Sequence, residues 1–237
     1  MKDDFLASFP DGGDFALIRA RYPLTKLGMG ARRICFSIGE SGYCVKFLRT
    51  QADRPDRLLG WRAKRMLKKY RFDLKRNINC LEADAMRRYR DLAGARVASA
   101  LPEIVKIVRD EERGYGIMMD ELRNADESGV KSVIKEMMER PQDVDFQKRA
   151  FAAMDELIDD LIAVSAPFYE VDNFVVQYAT DGSWRLRIID FEPVGKKLFS
   201  PERYWPWYRR LFIRRKRRQV FTRYLERLAG MRAKNMV

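Results

Sequence analysis

The hydrophobic period of this 237-residue chain changes once, near Asp120, and that change limits the architectures open to it. Before Asp120 apolar residues gather mainly in short β-forming runs; after it they recur mostly at the three- and four-residue intervals of helices that bury one face. Strands and helices segregated in this way predict an α+β protein, with a β-rich lobe over residues 1–120 and a mainly helical one over 121–237.

The segment LGMGARRICFSIGESGYCVKFL, Leu27 to Leu48, holds two β-rich runs around Gly39-Glu40-Ser41-Gly42 and is opened by the pair Gly28 and Gly30. Residues Thr50 to Lys75 are strongly basic and read as an irregular insert followed by a helix with a charged face. Ile78 to Leu92 sets Ile78, Leu81, Ala85, Met86, Tyr89 and Leu92 at helical spacing. Ile104 to Val108 and Tyr115 to Met119 form a second hairpin candidate, giving five short strands and a helix in the first lobe. Further on, Lys131 to Glu139 and Phe146 to Val164 read as helices. Phe174 to Tyr178 and Trp184 to Ile189 read as a hairpin through Asp181-Gly182, and Tyr204 to Lys234 as one or two helices.

Composition narrows the chemistry. Lys and Arg number 47 against 34 Asp and Glu, a formal charge of +13, which favours phosphate-bearing ligands, nucleic acid or an anionic membrane surface. There is no histidine, so Ser-His-Asp and Cys-His nucleophile systems and imidazole metal sites are excluded. Three cysteines, Cys35, Cys44 and Cys80, are too few and too scattered for a disulfide framework or a four-cysteine zinc site, and suit a reducing, cytoplasmic compartment. Residues 1–20 carry Asp3, Asp4, Asp11 and Asp14 and do not read as a secretory signal; no uncharged apolar stretch is long enough to cross a bilayer.

A two-residue turn at Asp181-Gly182 would place Asn173 directly opposite Asp190. An amide oxygen and a carboxylate so paired can hold magnesium, which keeps several waters and takes one or two carboxylates plus substrate phosphates. Otherwise they are polar residues ending a sheet. Gly28 and Gly30 would let backbone approach phosphate, and Lys46 would put an ammonium on the same ligand. The alternatives are an ordinary turn and an edge-strand surface charge. Glu82 either orients Lys46 or is an exposed helix carboxylate.

Taken in succession, LGMGARR, CVKFL, CLEADAMRRY, GIMMDELRNAD, DNFVV and IIDFEP resemble the protein-kinase-like superfamily, and most of all the small bacterial PhoP regulatory network protein YrbL family. The resemblance spans about Leu27 to Glu192, with a basic, tryptophan-containing tail after it. It implies a two-lobed protein-kinase-like fold, a small β-rich N-lobe and a reduced helical C-lobe, binding ATP and Mg2+ in an interlobe cleft. Lys46 then pairs with the nucleotide phosphates and Glu82 with Lys46, Asp84 being the less well phased alternative. Met119 guards the adenine pocket, Asp120 and Leu122 form the hinge, Asp126 lies near ribose, and Asn173 and Asp190 bind the metal.

The departures from the pattern carry their own expectations. Arg33 stands at the third loop glycine, Phe168 where the catalytic-loop aspartate belongs, and Glu192 at the glycine after Asp190-Phe191. Glu170 or Asp172 is the substitute candidate for accepting the proton of a substrate hydroxyl. Little chain follows Asp190, which disfavours a protein substrate and leaves a small-molecule or lipid-like acceptor. Loss of the aspartate also fits a pseudokinase retained as a regulatory binding module. The segment from Arg203 to Arg218 interleaves aromatics with arginines. It reads as a docking helix with a solvated basic face, as an adaptor for an anionic membrane surface, peripheral at the inner face, or as a nucleic-acid binder.

Overall fold

The structure, a computed structural model, describes residues 4–30, 32–53, 60–164, 166, 173–191 and 206–234. The chain divides into two compact units, residues Met1–Arg87 with Pro102–Glu121, and Arg88–Leu101 with Leu122–Val237. Segment Arg88–Leu101 thus falls in the second unit although its sequence position lies in the expected first lobe. Its packing there, described below, is the reason.

In the first unit, α1 (Asp4–Ser8), β1 (Gly13–Asp14) and α2 (Phe15–Arg21) precede β2 (Leu24–Met29), β3 (Arg33–Ile38) and β4 (Tyr43–Leu48). Then come α3 (Trp61–Tyr70) and α4 (Ile78–Leu92), whose last residues enter the second unit, as does α5 (Gly94–Ala100). β5 (Ile104–Asp110) and β6 (Gly114–Asp120) return to the first. Among the described residues the unit holds a six-stranded sheet in the order β1-β5-β6-β4-β3-β2, antiparallel except for the short β1–β5 pair. The run expected from Leu27 to Ile38 is two strands, because the chain turns back between Gly30 and Arg33, where Gly30 N–H donates to the Arg33 carbonyl at 2.9 Å.

All six residues of β4 are buried, a central strand with both faces covered. Val45 and Phe47 pack with Phe9, Phe15 and Ile18 of the N-terminal segment, whereas Cys44 packs with Cys80 and Ala83 of α4. The side-chain alternation of a strand therefore turns position 46 toward α4. Helix α4 has the expected bounds but a different buried stripe: Ile78, Glu82, Ala83, Met86 and Tyr89 are buried, while Leu81 and Leu92 are exposed.

In the second unit β7 (Lys131–Ser132), α6 (Val133–Glu139) and α7 (Val144–Ala163) lead to β8 (Phe174–Tyr178), β9 (Trp184–Ile188) and α8 (Pro206–Lys234). The helix expected from Lys131 starts later because Ser132 caps it, accepting from Lys135 N–H at 3.2 Å. β7, β8 and β9 form a three-stranded antiparallel sheet. α5 packs on α7 and β9, and the buried Arg187 of β9 donates to the carbonyls of Ala100 and Leu101 at 3.3 and 3.4 Å. A cation on the carbonyls ending a helix satisfies orphan acceptors and complements the dipole, which ties Arg88–Leu101 to this unit. Among the described residues no helix is long and apolar enough to cross a membrane.

Candidate functional site

The most unusual chemistry in the first unit is a buried charge cluster. Lys46 Nζ lies 3.0 Å from Glu82 Oε1, and the Arg33 guanidinium bonds to Oε2 of the same carboxylate. Glu82 is 0% exposed, and Lys46 and Arg33 are buried. The β3–β4 register opposes Cys35 to Lys46, so Arg33, two residues before Cys35, projects to the same side. The carboxylate on α4 thus meets a cation from each strand. Glu82 is not the exposed helix carboxylate that its sequence context allows, and Asp84 lies exposed.

Two basic side chains thus share one buried carboxylate where solvation is poor. Burial, reinforced by the Arg33 cation, pushes the Lys46 ammonium down to about 7. The neighbouring Cys35 and Cys44 thiols act in the opposite sense. All three cysteines gather on the same side of the sheet as unpaired thiols, Cys44 and Cys80 within the core and Cys35 packed against it, a convergence their sequence spacing conceals. A hydrogen bond between Cys35 and Cys44 lowers the Cys35 thiol and, with burial, raises that of Cys44.

Gly28 and Gly30 flank the turn between β2 and β3. A Cβ at Gly28 would meet nothing within 4 Å, and one at Gly30 only the Arg33 carbonyl at 3.9 Å. The turn has room for side chains at both, so packing does not demand glycine, and Gly28 sits where the β2–β3 register shifts. The Gly30 carbonyl also accepts from Arg49 at 3.1 Å, which steadies the turn.

The expected hinge begins at the end of β6. Met119 is buried opposite Cys44, Asp120 pairs with Tyr43, and Glu121 N–H donates to the Gly42 carbonyl at 2.9 Å. Leu122 is half-buried and opens the second unit. Asp126 is exposed, and its carboxylate accepts from Ser128 N–H and Oγ at 3.0 and 2.6 Å, bonds that hold it below the usual carboxylate range.

The β8–β9 hairpin corrects the expected geometry. Phe174 opposes Ile188 and Tyr178 opposes Trp184, one residue away from the register that opposes Asn173 to Asp190. The loop is longer than Asp181-Gly182: Ala179 and Ser183 close it with a 2.8 Å bond, and Gly182 takes the positive φ of +77°. Asp181 accepts from Ser183 N–H at 2.9 Å, which favours this three-residue form. Asn173 consequently faces Ile189, whose N–H donates to the Asn173 carbonyl at 3.0 Å. The two residues still meet, since Asn173 Nδ2 donates to the backbone carbonyl of Asp190 at 3.1 Å. With the amide nitrogen engaged there, Oδ1 is the atom of this side chain able to meet a cation. Beside it Phe191 is fully buried and 5.7 Å from the Tyr89 ring, which anchors the strand end.

Among the described residues no group of three acidic or thiol side chains is arranged to hold a metal. Asn173 and Asp190 are the oxygen-bearing pair at this strand end, and what joins them is the bond from the amide to the Asp190 backbone carbonyl. Phe168, Glu170, Asp172, Glu192 and the segment 192–205 lie outside the described residues. Arg33 is the member of the buried cluster that sequence reasoning assigned no role beyond displacing a glycine; the strand register was the signal for it.

Helix α8 is one continuous helix. It packs on α6 and α7, with Ile213, Tyr224 and Leu228 buried, and Arg217 pairs with Asp159 at 2.9 Å. Trp207, Leu211 and Leu225 are exposed. Compared with known proteins, the chain matches no protein-family model, and no curated protein is similar to it in sequence.

Proposed function

We propose that the protein is kinase-like, as its resemblance to the YrbL family implies, and that it binds ATP with Mg2+ and transfers phosphate to a small-molecule or lipid-like acceptor. The observation that carries this reading is the Lys46–Glu82 pair, 3.0 Å apart and buried between strand β4 and helix α4. A glycine-bearing turn, a lysine on the third strand of the series β2, β3, β4, and a glutamate on a later helix, here α4 after the intervening α3, are the parts by which kinases hold nucleotide phosphates, in the same order.

The mechanism is one of positioning and charge. ATP, when bound, supplies the phosphoryl group and, with Mg2+, the charge to be neutralised. Lys46, held by Glu82, donates to phosphate oxygen, and a nearby polyanion favours its protonated form. Arg33 holds the second oxygen of Glu82 and adds positive field. Backbone N–H groups near Gly28 and Gly30 approach phosphate where no side chain intervenes. Asn173 Oδ1 and the Asp190 carboxylate would hold the metal, which would neutralise phosphate charge, and Glu170 or Asp172 would orient the acceptor hydroxyl.

A second reading, favoured by Phe168 in place of the catalytic aspartate, keeps nucleotide binding and drops turnover: a pseudokinase acting as a regulatory module. For α8 we infer an anionic membrane surface ahead of nucleic acid, because Trp207, Leu211 and Leu225 offer apolar area among arginines. The place that suits three unpaired thiols is the cytoplasm, with peripheral contact at the inner membrane face.

Thermal unfolding with and without ATP and Mg2+ tests both readings. A saturating ligand at about 100 times its Kd stabilises by about 2.7 kcal/mol, which raises Tm by roughly 5–10 °C for a chain of this size. The shift should vanish in Lys46→Ala and in Asp190→Ala. A shift with ATP hydrolysis supports the enzyme, and a shift without it the pseudokinase. No shift in the wild-type protein overturns the nucleotide reading.

A further inference from the structure

Helix α3 is a surface that the nucleotide reading does not use. Its sequence, WRAKRMLKKY, contains no acid. Met66, Leu67 and Tyr70 are half-buried on one side, and α3 packs against β4. On the opposite side Lys64, Arg65, Lys68 and Lys69 are exposed, and Trp61, 69% exposed, falls in the middle of their arc. These five side chains line a shallow groove of about 420 Å³. The Arg65 guanidinium sits 5.4 Å from the centre of the indole ring, which orders the tryptophan without covering it. Leu74, just past the helix, is 54% exposed.

We propose that α3 seats the first unit on an anionic lipid surface, with Trp61 entering the headgroup layer and Lys64, Arg65, Lys68 and Lys69 facing lipid phosphates. The inference stands independently of the ATP reading. Three features favour a bilayer over a polynucleotide. Within α3 Trp61 is the exposed aromatic among the described residues, one stacking platform, whereas single-strand binders present several for successive bases. No Ser, Thr, Asn or Gln accompanies the cations to orient a base or sugar. Among the described side chains three of the four exposed cations of α3 are lysines, compact charges suited to a diffuse field of headgroups rather than to bidentate grip on a fixed phosphate. An exposed tryptophan flanked by lysines is also what the bilayer–water boundary selects. Each cation near such a surface contributes about 1 kcal/mol, roughly fivefold in partitioning, so the helix supplies reversible rather than permanent attachment.

Sedimentation of the full chain with vesicles checks this. Phosphatidylcholine vesicles containing roughly one-third phosphatidylglycerol should bind the protein, and phosphatidylcholine alone should not. Lys64→Ala combined with Lys68→Ala should lower partitioning about 25-fold, and raised salt should lower it in the wild type. Trp61→Ala should weaken binding, and Trp61→Phe should retain part of it. The substituted side chains are exposed, and unchanged thermal unfolding will show that the variants fold. Equal binding to neutral vesicles overturns the proposal. So does full retention of binding in the α3 variants, or a loss confined to Arg214→Ala with Arg218→Ala in α8. An oligothymidylate bound in preference to vesicles through α3 would mark a nucleic-acid surface instead and equally overturn it.

Discussion

Glu82 is the residue on which the first unit's charge balance turns. It is the shared partner of two buried cations, so its loss and theirs are not equivalent. Lys46→Ala leaves Glu82 paired with Arg33, and Arg33→Ala leaves it paired with Lys46, whereas Glu82→Ala removes the shared carboxylate from both at once. We expect Glu82→Ala to cost about 3–5 kcal/mol and each cation variant distinctly less, as measured by urea unfolding. Lys46 also sets a pH dependence. Burial holds it down to about 7 against an ordinary 10.5, so between those values the unfolded chain binds more protons than the folded one. Stability contributed by this group therefore rises with pH across that window, and Lys46→Met should flatten the slope of Tm against pH there. The pairing of Lys46 with Glu82 was one of two readings the sequence left open, and the one the kinase-like resemblance implied. The part played by Arg33 was not legible, because a loop position read by itself does not reveal which strand face it joins.

Elements were legible where their period was regular and less so where turn chemistry chose among close alternatives. The β3–β4 and β5–β6 hairpins and α4 formed where short apolar runs and helical spacing placed them. The β8–β9 register shifted by one because Asp181 and Gly182 support a three-residue loop as readily as a two-residue turn, and the bond to Ser183 favours the longer one. Two glycines in the left-handed region separate local strain from crowding. Gly182, at φ +77° with open space around its Cα, should cost about 1–2 kcal/mol when changed to Ala. Gly114, at φ +78° on β6, would drive a Cβ into the Arg71 carbonyl, and Gly114→Ala should cost about 3 kcal/mol or more. Chemical denaturation of the two variants side by side checks the difference. In α4 the apolar period located the helix but mis-assigned its edge: Glu82 took a place inside and Leu81 one outside, since two strand cations compensate a buried carboxylate.

Across the chain, the two units draw on segments that are not contiguous. Arg88–Leu101 joins the second because Arg187 secures the end of α5, a long-range hydrogen bond that no local pattern announces. In that unit α8 acts as a packed element as well as a basic one: Tyr224 and Leu228 are buried against Ile134 and Met137 of α6. Leu228→Ala should therefore destabilise the chain by about 2–4 kcal/mol in thermal or urea unfolding, whereas substitution of exposed Leu225 should stay within about 0.5 kcal/mol. The linear sequence alone determined the α+β class, the positions of most strands and helices, the absence of imidazole chemistry and the excess of positive charge. These depend on periodicity, turn residues and composition, which are properties of neighbouring residues. Tertiary structure decided which cations share Glu82, how Asn173 meets Asp190, that three distant thiols lie together and which helix faces stay exposed. Each of those depends on strand register and long-range packing, where a displacement of one residue changes every partner.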